Sequence, residues 1–263
     1  MKTIAISGKG GTGKSTVATM IIRWLTNKGA RSILAVDADS NVNLNQLLGV
    51  DLKETVGAIR EEMRAMISNI PGGMSKPQFL EYKIQTSLVE QPQFDLLAMG
   101  RPEGPGCYCY ANNLLRDILQ TISQNYEYVV IDNEAGMEHL SRRTTNKIDY
   151  LLIISDPFPR GIQISGKINR LLKELDTRVA RRYLILNRAR NPLPDSVRKS
   201  IQEENLNLLG LIPEDKLLMT RDQAGHPIWP ILNKSLAFKA LDRLMTKLVL
   251  REEEIIDNEH RTY

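Results

Sequence analysis

The chain has 263 residues, 42% hydrophobic and 25% charged, ordinary values for a globular domain with one large core. Its net charge is +4 and its pI about 9.0, too mild a balance to argue for nucleic acid by itself. No apolar run is long enough to span a bilayer, and the N-terminus enters a strand without a signal-peptide pattern, so a cytoplasmic protein is expected.

Thr3-Ile4-Ala5-Ile6 is a short apolar run that reads as a buried strand, and Val17 to Leu25 reads as a helix. Between them stands Ser7-Gly8-Lys9-Gly10-Gly11-Thr12-Gly13-Lys14-Ser15-Thr16. Strand, glycine-rich turn and Gly-Lys-Ser at a helix start is the setting a phosphate-binding loop requires. Glycines let the backbone approach an anion at positive φ, consecutive N–H groups form a nest, and the helix N-terminus adds partial positive charge. Gly8, Lys9, Gly10, Gly11, Thr12, Gly13, Lys14, Ser15 and Thr16 are therefore the expected nucleotide-phosphate-binding residues. Lys14 is expected on the β- and γ-phosphates and Ser15 on Mg²⁺. Lys9 is a second lysine in the loop, more charge than one nucleotide needs from one chain. It reads either as a solvated side chain or as a group reaching phosphates held by a second copy.

Arg31 to Asp37 predicts a second buried strand, ending in Asp37-Ala38-Asp39-Ser40. Carboxylates at the carboxyl end of a parallel strand sit where α/β proteins place ligands. Asp39 is the candidate for orienting an attacking water, and Asp37 for supporting Mg²⁺ or the local geometry; Asp39 or Ser40 also suits a helix cap. Residues 52–90 read as helical, broken at Pro71-Gly72-Gly73, with no evident chemistry, and 94–100 as a third strand.

Gly104-Pro105-Gly106-Cys107-Tyr108-Cys109 holds both cysteines of the chain. A disulfide between them would close a strained ring, so thiol chemistry or metal binding is the better reading. Two sulfurs cannot fill a tetrahedral shell, but a twofold dimer would supply a Cys₄ site. Nickel and zinc both accept such ligands.

Tyr126 to Asp132 predicts a fourth strand ending in an acid, the position from which Asp132 reaches the Mg²⁺ shell. Gly136, after Asn133-Glu134-Ala135, is placed to offer its N–H to a γ-phosphate. His139 reads more readily as structural than as a ligand. Strands follow at 150–157, 182–187 and 208–215. Asn187 and Arg188, where the second of these ends, and Pro213 and Glu214, in the loop that closes the third, are candidates to flank the base. Eleven cations lie between Arg160 and Lys199, readable as solvated helix faces or as a docking surface. Leu236 to Val249 is an amphipathic helix suited to core packing. One domain over 1–250 and an acidic tail over 251–263 are expected; the tail would repel an anionic membrane.

The loop with Lys9 resembles the deviant Walker A ATPases, which include septum-site, partition and nitrogenase iron proteins. The resemblance implies a three-layer α/β/α P-loop NTPase fold, with a mainly parallel sheet of about seven or eight strands. It also implies an ATP-sandwich homodimer with Lys9 acting across the interface, Asp39 as the hydrolytic acid, and base contacts from Asn187, Arg188 and the 213–214 loop. Ser40 departs from the proline common in that family. The cysteines discriminate within it. The wide cysteine spacing of nitrogenase-type proteins and the C-x-x-C of iron–sulfur scaffolds are absent, and the acidic tail does not suit a septum-site membrane helix. Gly106-Cys107-Tyr108-Cys109 and Ala135 to Arg142 are similar to the nickel-insertion accessory ATPases of carbon monoxide dehydrogenase, the CooC group, whose close relatives serve acetyl-CoA synthase. That resemblance implies ATP, Mg²⁺ and Ni²⁺ (or Zn²⁺) as ligands and an apo-enzyme as partner. A partition or positioning ATPase acting through the basic face is the alternative.

Overall fold

The structure is a computed structural model, and it describes residues 1–65, 73–100, 120–134, 147–174 and 178–260. An eight-stranded sheet is its centre. The strands are β1 (Lys2–Gly8), β2 (Ile33–Ala38), β3 (Val89–Glu90), β4 (Asp95–Ala98), β5 (Tyr128–Asn133), β6 (Lys147–Ser155), β7 (Arg178–Leu186) and β8 (Leu208–Leu211). Their order across the sheet is β3-β4-β2-β5-β1-β6-β7-β8, all parallel except the β3–β4 pair.

β1 is buried at every residue but Lys2, as a central parallel strand covered on both faces must be. Its alternation sorts two cores. Ile4 and Ile6 face Val17, Ile21 and Trp24 of α1 (Lys14–Asn27) and Leu44 of α2 (Leu44–Leu48). Ala5 faces the opposite layer, with Ile59 of α3 (Val56–Ala65), Leu80 and Ile84 of α4 (Lys76–Ser87), and Ile162 of α5 (Pro159–Glu174). Val197 and Ile201 of α6 (Asp195–Glu203) complete that second layer. On the first side lie Leu218 of α7 (Lys216–Gln223) and Leu241, Met245 and Leu248 of α8 (Leu236–His260). This is the three-layer α/β/α architecture expected from the sequence.

β1 lies between β5 and β6, with β2 next beyond β5. The loops leaving β1, β2 and β5 therefore share one end of the sheet, the end where such sheets hold ligands.

The seven expected strands are present as β1, β2, β4, β5, β6, β7 and β8. The two-residue antiparallel edge β3 is an addition, too short to leave any periodicity in sequence. The helical reading of 52–90 is met by α3 and α4 among the described residues, and α4 opens on a Ser75–Gln78 capping box. The last helix differs from expectation. It runs on through the acidic segment to His260, because 251–260 contain neither glycine nor proline to end it.

Candidate nucleotide site

β1 delivers the chain into the loop through Gly8, at φ +149°, where an added Cβ would lie 2.2 Å from the Ile154 carbonyl oxygen. Only glycine allows β6 so close. Gly13 is left-handed (φ 88°, ψ 31°) and stands at the N-terminus of α1, where no side chain makes a cap. The first N–H groups of the helix are thus left for an anion.

The loop is tied to itself and to β7. The Thr12 hydroxyl donates to the Lys9 carbonyl at 2.8 Å. The Asn187 amide, at the end of β7, donates to the Thr12 carbonyl at 2.8 Å, and a Cβ on Gly13 would come within 2.4 Å of that amide nitrogen. Lys14 is 8% exposed, and its ammonium makes one long bond, 3.4 Å, to the Lys9 carbonyl. Lys9 itself is exposed.

Three acids gather beside the loop. Asp37 and Asp132 are directly paired in the β2–β5 register, and both are buried. Asp37 accepts from the Asp39 N–H at 3.0 Å with one oxygen, and from the Asn43 and Leu44 N–H groups at 2.9 and 2.8 Å with the other. It moulds the 38–44 loop and the start of α2. Burial raises its pKa against those hydrogen bonds, with help from the Asp39 charge.

Asp132 is 1% exposed, and neither carboxylate oxygen has a hydrogen bond of good geometry among the described residues. Burial pushes its pKa up to about 7; the nearby Ser15 hydroxyl and Lys14 ammonium pull down, and Asp37 and Asp39 push up. The contact with Ser15 is close enough to count electrostatically but is not a well-formed bond. An orphaned buried carboxylate beside a serine hydroxyl is an oxygen set of the kind Mg²⁺ takes, so these residues fit that ion.

Asp39 is half-buried and accepts from the Asn41 N–H at 2.9 Å and side-chain amide at 3.2 Å. The Ser40 hydroxyl donates to Glu134 at 3.0 Å, joining the loops after β2 and β5. Asp39, Gly10, Gly11, Gly13, Lys14, Ser15 and Thr16 line one open cavity of about 450 Å³, together with Asn43, Gln46, Asp222 and His226.

Asn187, Arg188, Pro213 and Glu214 come together in an adjoining cleft, walled by Met20, Leu218 and Ala237. The Asn187 side chain is committed to the loop through its amide nitrogen, while its oxygen accepts the Arg188 N–H at 3.0 Å. The Arg188 guanidinium reaches the Gly11 carbonyl at 3.4 Å.

Beneath the cleft lies Asp215, a residue not singled out from sequence. One oxygen caps α7 at the Leu217 and Leu218 N–H groups, and the other accepts from the Ser235 hydroxyl at 2.6 Å and the Ala237 N–H at 3.1 Å. Burial raises its pKa, but these four donors outweigh that and hold it below the usual value. The signal was available as an acid directly ahead of a helical run. Glu134, Asp222 and His226 were likewise missed, being isolated residues in loops or at a helix end.

Gly136, Cys107, Cys109 and His139 lie outside the described residues. Among the described residues no helix is long and apolar enough to cross a membrane.

Sheet order, loop geometry and the orphaned acid define a P-loop nucleotide-binding α/β domain. A family model for the CobQ/CobB/MinD/ParA nucleotide binding domain matches residues 3–228. The chain is 41% identical over 248 residues to an uncharacterized ATP-binding protein of Methanocaldococcus jannaschii, covering 94% of this chain and 98% of that one. It is 32% identical over 234 residues to the carbon monoxide dehydrogenase accessory protein CooC of Rhodospirillum rubrum, covering 84% and 87%. Among solved structures it is similar to the MinD cell division protein of Aquifex aeolicus, with a TM-score of 0.67 at 22% identity over 95% and 97% of the two chains. The chain belongs to the MinD/ParA family of P-loop ATPases.

Proposed function

We propose that this protein is an ATP-dependent metallochaperone that drives nickel insertion into carbon monoxide dehydrogenase or acetyl-CoA synthase. The reading is carried by one conjunction. The chain is similar to CooC over most of both lengths, and it places its only two cysteines one residue apart at Cys107 and Cys109.

In this reading ATP occupies the 450 Å³ cavity with its phosphates on the 8–16 loop. Lys14, held at the loop by one weak bond, swings onto the β- and γ-phosphates. Asp132 and Ser15 hold Mg²⁺, which supplies charge neutralisation on the phosphates. Asp37 supports the site by shaping the loop that carries Asp39. Asp39 keeps one carboxylate oxygen for the attacking water while the other is tied to Asn41. Gly136 contacts the γ-phosphate. Asn187, Arg188, Pro213 and Glu214 flank the base.

Exposed Lys9 crosses to the phosphates of a second copy, making the ATP-bound protein a homodimer. Closure of that dimer brings two Cys107–Cys109 pairs onto one Ni²⁺ (or Zn²⁺), the ion being cargo. Hydrolysis opens the dimer and lowers its affinity for the ion. A ligand shifts an equilibrium only by its differential binding, so metal and ATP must each tighten the other.

The test is replacement of Cys107 or Cys109 by serine, with metal content and nucleotide affinity measured together. Loss of stoichiometric nickel is expected, with ATP bound as tightly as by nickel-free wild type; retained nickel would refute the assignment. Against a DNA face, two cations of the basic stretch are already paired, Arg170 with Glu204 and Lys199 with Glu203. A steep salt dependence of DNA binding would reverse that judgement.

A further inference from the structure

We propose that a second cavity, between the sheet and the α5–α6 layer, is a binding site for a small organic carboxylate, with Arg182 as its counter-ion.

The cavity has a volume of about 290 Å³, at the small end of ligand-sized pockets, and shares no lining residue with the nucleotide cavity or its adjoining cleft. Ile153 of β6 and Leu184 of β7, both buried, give it an apolar side. Arg182 stands two residues before Leu184, on the same face of the strand. Asn169 of α5, and Asn205 and Asn207 between α6 and β8, supply the polar side. The 205–207 segment is fixed in place. The Leu206 N–H donates to the Ile201 carbonyl at 3.1 Å, and the Leu184 N–H donates to the Asn207 carbonyl at 2.8 Å.

The polar groups here are unmet. Arg182 is half-buried and makes no ion pair or hydrogen bond among the described residues, and its Nε is shut off from water. Oδ1 of Asn169 is buried and equally without a donor. Glu204, beside Asn205, is the acid at hand, but its carboxylate is taken by Arg170 of α5. Buried polar groups without partners are rare in folded proteins and weaken the fold that carries them. A guanidinium is a planar fork of donors with no acceptor, and its complement is a planar carboxylate. One cation among neutral amides suits a single negative charge better than a phosphate dianion. The three asparagine amides can donate or accept, which suits a hydroxyl, amino or amide group carried by the same ligand.

The experiment is a calorimetric titration of the full chain, free of nucleotide, with acetate, L-lactate and L-glutamine, and with neutral lactamide and inorganic phosphate for comparison, all at one ionic strength. At least one of the carboxylates should bind with one site per chain, and lactamide should not bind. Arg182→Met should weaken that binding about tenfold or more, the size of one charge-assisted hydrogen bond. The same variant should melt no lower than wild type, because it removes an unpaired, half-buried charge. Asn169→Ala should weaken the binding severalfold, and it carries the test if Arg182→Met does not fold. Failure of all three carboxylates to bind, binding indifferent to either substitution, or Arg182-dependent binding of phosphate in their stead would each overturn the proposal. A folded Arg182→Met that melts lower than wild type would overturn it too, by showing that the guanidinium serves the fold.

Discussion

Asp37 and Asp132 end adjacent parallel strands, directly paired in register and both buried, yet the chain treats them in opposite ways. Asp37 is surrounded by three backbone N–H donors, so its charge is spent inside the fold. Asp132 has no well-formed hydrogen bond among the described residues, and burial holds its carboxyl near pH 7. A buried carboxylate left unsatisfied weakens the empty protein. The contrast teaches that one acid builds the loop while the other is kept in reserve for what arrives.

The sharpest way to break this comparison is Asp37→Ala. Removing one acceptor strands the buried Leu44 N–H and the part-buried Asp39 and Asn43 N–H groups, and we expect a loss of about 2–4 kcal/mol in urea unfolding, since each stranded group costs roughly 1–3 kcal/mol and water can reach two of them. A loss below about 1 kcal/mol would show that water or another group replaces the carboxylate at once.

Asp132→Asn should behave differently, and pH is the probe. In nucleotide- and magnesium-free protein the folded pKa is about 7 against an ordinary 3.8. The folded state therefore binds the proton more tightly than the unfolded chain does. That stabilisation is complete at low pH and is lost as pH rises from the unfolded value through the folded one, at up to about 1.4 kcal/mol per pH unit. Asp132→Asn should flatten the slope between pH 5 and 7, leaving the smaller share contributed by Asp37. An unchanged slope would mean that Asp132 is ionised throughout. The same substitution should lower magnesium-dependent hydrolysis while Asp37→Asn, if folded, lowers it less.

Asp215→Ala sharpens the comparison from the base side. It removes the α7 cap and the anchor of Ser235 and Ala237, and about 2 kcal/mol of stability is expected to go with them, measured by denaturant midpoint. Because its folded pKa is depressed, that contribution is present at neutral pH and is lost as pH falls through the folded value; the variant should approach wild type in acid. The smallest effect belongs to Asn187→Ala, which frees the Thr12 carbonyl. About 1 kcal/mol of stability is expected to be lost, with weaker nucleotide binding read by calorimetry.

Much of this could be seen in the residues alone. The loop of 8–16 states its chemistry through glycine positions, and seven strands announce themselves as buried apolar runs. What stayed hidden depended on distance in the chain. Asn187 meets Thr12 across 175 residues, and Asp215 meets Ser235 across 20, so neither bond leaves a local pattern. The pairing of Asp37 with Asp132 follows from strand order, which sequence spacing does not encode. The difference between their roles rests on three backbone N–H groups that have no sequence signature. The two-residue β3 and the run of α8 through an acidic segment were lost for simpler reasons. One is too short for periodicity, and the other carries charge where only a helix breaker would have mattered.

In the proposed function, ATP-driven pairing of two chains creates one metal site from Cys107 and Cys109 of each. Native mass spectrometry of nickel-loaded protein, with and without ATP, tests it directly. The account predicts one nickel per two chains in the ATP-bound dimer and loss of both nickel and dimer when ATP is withdrawn or Lys9 is replaced by alanine. One nickel per single chain, or an ATP-bound dimer that takes up none, would contradict it.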